Sequence, residues 1–250
     1  MKPSLLPFLF LTLSACNMSS AKTIEDCAKI YHATANNPSI NSPLKLAKYL
    51  QNNGQGCMQY DEYNVWLVSA YQDAGEYAMS VDIAQKALEN ANEYKPNLLQ
   101  FIAEVELRTG SEEKAVKMGE DIILQYPNYS PILGFLAEIA TKNQDFEASF
   151  KYGEKSYQIE RNASSLLWMA ADLHQLERHE EAVNAVYKAL ELEPQRIQRM
   201  AGILEGIVSL AALNRKEEAT ELAKRHIAAN PNWRENPTFV QVAKALGVAD

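Results

Sequence analysis

The sequence predicts an all-α fold, a solenoid of antiparallel helix pairs, from three observations. The segment from Asp61 to Trp233 repeats five times at a spacing of about 34 residues, a period typical of stacked helical hairpins. Within a repeat, apolar and small residues recur at helical spacing on both sides of a polar turn. Three repeats close with a proline, which lacks an amide proton and ends a helix. The repeats start near residues 61, 96, 130, 163 and 200.

Each repeat is predicted to contain one polar turn that ends its first helix and begins its second. A small residue stands beside a large one seven to eight positions before most of these turns, as in Ala170 beside Met169, which suits close helix crossing. The five turns are Gly75-Glu76-Tyr77, Gly110-Ser111-Glu112, Gln144-Asp145-Phe146, Glu177-Arg178-His179 and Asn214-Arg215-Lys216.

The repeat that begins at Ala163 has small residues at Ala170, Ala182 and Ala189 and ends with Pro194. This pattern resembles the tetratricopeptide repeat, and the resemblance covers residues 61–233. It implies a right-handed superhelical solenoid whose first helices line a concave groove for a protein or peptide partner. Ser80 and Ser149 depart from the family pattern, which usually has alanine there.

The covers of the array are predicted from the flanking segments. Residues 23–60 read as an N-terminal helical cap of two helices, and residues 234–250 as a C-terminal capping helix with an apolar face through Phe239, Val242, Ala243 and Leu246. Terminal repeats need such covers because their outer faces have no neighbour.

Residues 1–15 predict a secretory signal, with Lys2 followed by an apolar run too short to span a bilayer of about 30 Å. The run ends in Leu13-Ser14-Ala15-Cys16, which resembles a bacterial lipobox. This resemblance implies cleavage before Cys16, lipidation of its thiol, and a lipidated tether over residues 16–22. Asn17 instead of aspartate then implies outer-membrane attachment facing the periplasm. Cleavage after Ala21 is the alternative and would leave a soluble periplasmic or secreted protein.

With Cys16 assigned to the lipid, Cys27 and Cys57 are the remaining thiols of an exported protein. We expect them to form a disulfide in an oxidising compartment. Two buried reduced cysteines are the alternative. A zinc site is disfavoured because only His32 lies near them in sequence, too few ligands for tetrahedral coordination.

Composition argues against several functional classes. The chain has 250 residues, 47% hydrophobic and 22% charged, as is usual for a folded domain. Its formal net charge of −8 argues against general binding to nucleic acid and against attraction to anionic lipid headgroups. Membrane contact is therefore expected through the lipid.

The sequence indicates no catalytic site, cofactor or metal. His32, His174, His179 and His226 form no HExxH motif, and neither a phosphate-binding loop nor a GxSxG motif is present. His174 and His179 are expected to face solvent beside a hairpin turn. Acidic pairs such as Glu180-Glu181 stand where second helices begin and are explained by the helix dipole.

The family resemblance places helix positions 2, 5, 9, 12 and 13 of each repeat in the groove. The groove is therefore expected to be polar through four repeats and apolar in the fifth, where the C-terminal helix is an alternative occupant. The main predicted groove residues are Val65, Ser69, Gln72, Asp73, Gln100, Glu104, Leu107, Arg108, Gly134, Glu138, Thr141, Lys142, Leu167, Ala171, His174, Leu204 and Val208.

Position 6 of four successive first helices is aromatic, namely Trp66, Phe101, Phe135 and Trp168. These residues either form an exposed stripe that binds a partner's apolar anchors or act as buried wedges between hairpins. Burial is the slightly favoured alternative.

Together these features predict a non-enzymatic scaffold for protein partners in the bacterial envelope. A pilotin-like assembly factor for a pilus or secretin system and an adaptor for peptidoglycan hydrolases are the alternatives. Homodimerisation through a repeat face stays open.

Overall fold

The computed structural model describes residues 22–35 and 37–249. The predicted signal, the lipidation site at Cys16 and most of the tether lie outside these residues. All regular elements of the described chain are helices, and none of them is long and apolar enough to cross a membrane.

The helices follow the predicted alternation of two helices per repeat. Two short 3₁₀ segments, Pro194–Gln198 and Trp233–Glu235, interrupt the array near its end. The α-helices are α1 (Ile24–Ala35), α2 (Pro43–Asn53), α3 (Asp61–Asp73), α4 (Tyr77–Leu88), α5 (Lys95–Arg108), α6 (Glu112–Gln125), α7 (Pro131–Lys142), α8 (Phe146–Ile159), α9 (Ala163–Gln175), α10 (His179–Leu192), α11 (Ile203–Ala212), α12 (Lys216–Ala229) and α13 (Pro237–Ala245).

The chain divides into two compact units, one ending at Tyr94 and the other beginning at Lys95. This boundary falls between α4 and α5, inside the array that the sequence predicts as one solenoid. The period predicts which segments pair as hairpins, but it carries no information on which hairpins share a core.

The first unit contains α1 to α4 and the predicted disulfide. Cys27 and Cys57 are joined with a Cα to Cα distance of 5.7 Å, and both are fully buried. The Tyr63 hydroxyl donates a hydrogen bond of 2.8 Å to the Leu50 carbonyl, which connects α3 to the end of α2. Ser42 caps α2 by accepting from the Lys45 amide. The disulfide thus closes the N-terminal cap on itself, and the Tyr63 hydrogen bond fastens the cap to the first repeat.

The second unit stacks four hairpins, α5/α6, α7/α8, α9/α10 and α11/α12. Small residues permit close approach between neighbouring hairpins, because a Cβ at Gly119 would lie 2.8 Å from Leu136 Cδ2 and one at Gly153 would lie 2.9 Å from Met169 Cγ. Buried alanines and leucines of α9 to α12 form one continuous core. The small residues that define the repeat are therefore packing positions.

All five hairpin turns use the same backbone geometry. Their first residues, Gly75, Gly110, Gln144, Glu177 and Asn214, have φ between 58° and 94°. The next residue's amide bonds back to a carbonyl of the preceding helix, as from Arg178 to Leu173 at 2.8 Å. This is the Schellman ending of a helix, which glycine adopts without strain.

The fifth repeat begins later than its sequence suggests. The sequence predicts a start near Met200, but α11 begins at Ile203, after the 3₁₀ segment Pro194–Gln198. Gly202 has φ of 80°, and a Cβ there would lie 2.5 Å from the Leu167 carbonyl oxygen. The Glu205 carboxylate accepts from the Gly202 amide at 2.7 Å and caps the helix.

The C-terminal cover is a shorter helix than predicted, spanning Pro237–Ala245 within the expected 234–250. Asn236 caps it by accepting from the Phe239 amide at 2.9 Å. Phe239 and Ala243 are fully buried in the core of the last repeats, as the sequence predicts.

Candidate functional site: a groove along the first helices

The second unit contains an open cavity of about 1030 Å³ along α5, α7 and α9. Its walls include all eight groove residues predicted for the second and third repeats, together with Ala171 of the fourth. The residues that line it are Gln100, Glu104, Leu107, Arg108, Pro131, Gly134, Phe135, Ala137, Glu138, Thr141, Lys142, Ser149, Trp168, Ala171 and Asp172. We call this cavity the groove.

The other predicted groove residues lie elsewhere. Leu167 and Leu204 are 4% and 9% exposed and belong to the core of the last two hairpins, so neither offers a free surface. Gln72 is also buried, on α3. Val65, Ser69 and Asp73 lie with it in the first unit, and His174 and Val208 are half-buried. Helix numbering identifies a face, but the core of the neighbouring hairpin decides whether that face stays open.

The four aromatic residues at position 6 have different environments. Trp66 stacks on Tyr31 in the first unit, with ring centroids 4.5 Å apart. In the second unit Phe101 is half-buried and Phe135 is buried, whereas Trp168 is 48% exposed. The favoured alternative, burial, therefore describes Phe135 but not Trp168.

Trp168 lies against the backbone of α7. A Cβ at Gly134 would be 3.2 Å from Trp168 Cζ3, so the absence of a side chain at Gly134 lets the indole lie close to that helix. Both residues line the groove. The wall between α7 and α9 therefore presents a half-exposed indole to the cavity.

Asp172 is a buried carboxylate in the groove wall, only 4% exposed, that our sequence reasoning missed. The Ser149 hydroxyl donates to its Oδ2 at 2.7 Å. Because that proton is used, Thr141, whose Oγ1 lies 2.8 Å from Ser149 Oγ, is the donor in their bond. Burial raises the Asp172 pKa to about 6, while the nearby hydroxyl groups of Ser149 and Thr141 lower it. The sequence feature that could have identified Asp172 is the placement of an aspartate between the apolar residues Ala171 and Leu173.

The charged side chains that line the groove are of both signs. Glu104 accepts from the Gln100 amide at 2.8 Å, and Glu138 and Arg108 are exposed. Lys142 lies 3.4 Å from a carboxylate oxygen of Glu112, which does not line the groove. The Lys142 charge is therefore partly compensated by the previous hairpin.

The acidic residues that begin second helices contact the turn of the next repeat. Glu112 accepts from the Asn143 amide at 2.6 Å, and Glu180 accepts from Arg215 at 2.9 Å. The helix dipole, which the sequence alone suggests as the explanation, thus accounts for only part of their role. Solvent screens exposed pairs of this kind, so each of them adds little to the stability of the protein.

His174 and His179 converge instead of facing solvent separately as predicted. Their Nδ1 atoms lie 3.0 and 3.3 Å from the hydroxyl of Ser209, which is fully buried on α11. Burial and the neighbouring imidazole lower the His174 pKa, whereas Glu205 raises it. Among the described residues, no three His, Cys, Asp or Glu side chains are placed to hold a metal ion. The pair joins the fourth repeat to the fifth.

Comparisons with known proteins agree with the fold. Residues 164–196 match the model of the tetratricopeptide repeat. No curated protein matches the chain.

Solved structures of similar fold include yeast Tom70, with a TM-score of 0.71 and 16% identity over 90% of this chain and 47% of that one. The structure of YrrB, described as a tetratricopeptide-repeat protein with an unusual peptide-binding site, has a TM-score of 0.56 and 14% identity over 79% of this chain and 96% of that one. The Cut9-Hcn1 structure has a TM-score of 0.63 and 11% identity over 90% of this chain and 43% of that chain.

The chain thus spans less than half the length of the Tom70 and Cut9-Hcn1 chains, and all three identities are low enough that the likeness concerns the fold. The repeat match, the antiparallel hairpins and the shared turn geometry agree with one another. The chain therefore has the tetratricopeptide-repeat fold, and residues 164–196 are one of its repeats.

Proposed function

We propose that this chain is a non-enzymatic scaffold that binds a segment of a partner protein in the groove. The observation that carries the proposal is the open cavity of about 1030 Å³ with the half-exposed Trp168 in its wall. A large exposed indole in a concave site is a typical anchor for a partner side chain. The tetratricopeptide fold is characteristic of protein interaction modules, and YrrB, with a similar fold, is described as having a peptide-binding site.

The proposed location is the periplasmic side of the bacterial outer membrane, with lipid attached to Cys16. Its support is the lipobox-like sequence that ends at Cys16, and the Cys27 to Cys57 disulfide is typical of an exported protein. Cells grown with radiolabelled palmitate should label the wild type but not the Cys16→Ala variant. Equal labelling of both proteins, or labelling of neither, would refute the anchor.

Photocrosslinking tests the groove directly. A photoreactive phenylalanine analogue at Glu138, an exposed groove position, should crosslink a defined partner in intact cells. The same analogue at Lys224, exposed on α12 and outside the groove, is the matched control and should not give that product. Identical products at both positions, or none at Glu138, would contradict the scaffold proposal.

A further inference from the structure

Asp172 is a buried carboxylate without a cationic partner in the described part of the chain. Its hydrogen bonds come from hydroxyl groups, and no basic side chain contributes to its pKa. Burial of an uncompensated charge opposes folding, because the carboxylate loses hydration that a neutral hydroxyl replaces only in part. The stability of the protein therefore does not explain why residue 172 is an aspartate.

The groove supplies the space in which a cation could reach this carboxylate. Asp172 lines the cavity, which is large enough to admit a side chain from a bound segment. Trp168 precedes it by four residues on α9, so both side chains lie on the same face of the helix, one turn apart. An indole face attracts cations, and its apolar surface accommodates the methylene groups of lysine or arginine.

The charges around the site also favour a cationic ligand. Glu104, Glu138 and Asp172 line the groove on three different helices. They are opposed by Arg108 and by Lys142, and the latter already lies 3.4 Å from Glu112. Arg108 forms no ion pair within the described residues, whereas the charge of Lys142 is partly compensated by Glu112. The three carboxylates therefore outweigh the two cations, and the negative balance of the cavity attracts positive groups.

We propose that Trp168 and Asp172 form a subsite for the lysine or arginine side chain of a basic partner segment bound in the groove. The methylene groups of that side chain would lie along the indole, and its cation would pair with the Asp172 carboxylate. This inference rests on the proposed function and adds the chemistry of the partner: a peptide segment with a basic residue at the anchor position.

Selection from a phage-displayed library of random dodecapeptides tests this chemistry on the full-length protein. We expect the enriched sequences to share a lysine or arginine. A synthetic peptide of the enriched sequence should bind the Asp172→Asn variant at least about tenfold more weakly, whereas replacing its basic residue by norleucine should weaken binding to wild type to a similar degree. The norleucine peptide should then no longer distinguish wild type from Asp172→Asn.

Two controls separate the subsite from other causes. Glu221→Gln removes an exposed carboxylate of α12 that lies outside the groove, so it should change affinity by about twofold at most. Thermal unfolding of Asp172→Asn must show a folded protein; if it does not, Trp168→Leu serves as the second variant and should lose the preference for a basic residue over norleucine.

The outcomes distinguish this inference from the proposal on which it depends. Enriched peptides that crosslink to the groove but carry no shared basic residue, or that bind Asp172→Asn as well as wild type, would overturn the subsite and leave the scaffold function standing. A library that yields no groove-binding peptide would overturn both. A basic consensus whose binding depends on Asp172 would support both.

Discussion

The indole of Trp168 lies so close to Gly134 that a Cβ at residue 134 would be 3.2 Å from its Cζ3 atom. The contact joins the third repeat to the fourth inside the groove. Since Trp168 is 48% exposed, it can move aside if the glycine gains a side chain.

Gly134→Ala is therefore expected to raise the free energy of unfolding by up to about 1 kcal/mol through helix propensity, while it displaces the indole. The fluorescence emission of Trp168 should shift, and peptide affinity should fall.

Gly119→Ala is the matched contrast. Its Cβ would lie 2.8 Å from Leu136, which is buried, so we expect the free energy of unfolding to fall by about 1 to 3 kcal/mol. Urea unfolding measures the free energy of unfolding of both variants. Equal changes in the two would contradict the explanation that Trp168 can move aside whereas Leu136 cannot.

The hairpin turn at Glu177 is expected to be strained. Its φ of 59° is unfavourable for a side chain with a Cβ, so Glu177→Gly should stabilise the protein by about 1 kcal/mol despite the greater freedom of glycine in the unfolded state. Gly75→Ala is the reverse change at the equivalent turn, where a Cβ would meet no atom within 4 Å, and should destabilise by about the same amount. Thermal unfolding would refute this explanation if the two shifts had the same sign.

His226 should make stability depend on pH. It is fully buried, its Nδ1 bonds to the Ile197 carbonyl at 2.7 Å, and its Nε2 lies 3.3 Å from the Asn230 amide nitrogen. Nδ1 is therefore the donor of a neutral ring, and burial lowers the folded-state pKa although the Ile197 bond raises it.

Because the unfolded chain binds this proton more readily, stability is fully present above the unfolded pKa of about 6.5 and is lost as pH falls below it. Urea unfolding of wild type at pH 8 and pH 5.5 should show this loss, and His226→Gln should show a smaller one. If His226→Gln lost as much stability between pH 8 and pH 5.5 as wild type does, His226 would be excluded as the source of that loss.

The pH dependence of stability that comes from Asp172 should have the opposite sign to that from His226. Its folded pKa of about 6 lies above the ordinary 3.8, so its contribution is most favourable below the unfolded pKa and is lost as pH rises through 6. Asp172→Asn should therefore increase stability at pH 7.5 by about 2 kcal/mol, and by much less at pH 4, because the wild-type carboxyl is then protonated. Calorimetry that showed no gain at pH 7.5 would mean that the hydroxyls fully compensate the charge.

The local parts of this fold could be predicted from sequence. Helical periodicity identified each hairpin, and the turns at Gly75 through Asn214 fell where the polar triplets predicted, because a turn depends on a few adjacent residues. The Cys27 to Cys57 pairing also followed from the small number of cysteines. The late start of α11 was missed because the 3₁₀ segment before it is held by Ile197 against the buried His226, a contact between residues 29 apart.

The sequence by itself determined the repeat and the face of each helix that could form a groove. Tertiary structure decided which part of that face is open: Leu167 packs into the core beside Gly202, whereas Trp168, the next residue, faces the cavity. It also decided that Asp172 is buried next to Ser149 and that two histidines meet at Ser209. Burial and pairing of this kind depend on side chains about one repeat apart in sequence, whose proximity arises only when the hairpins stack.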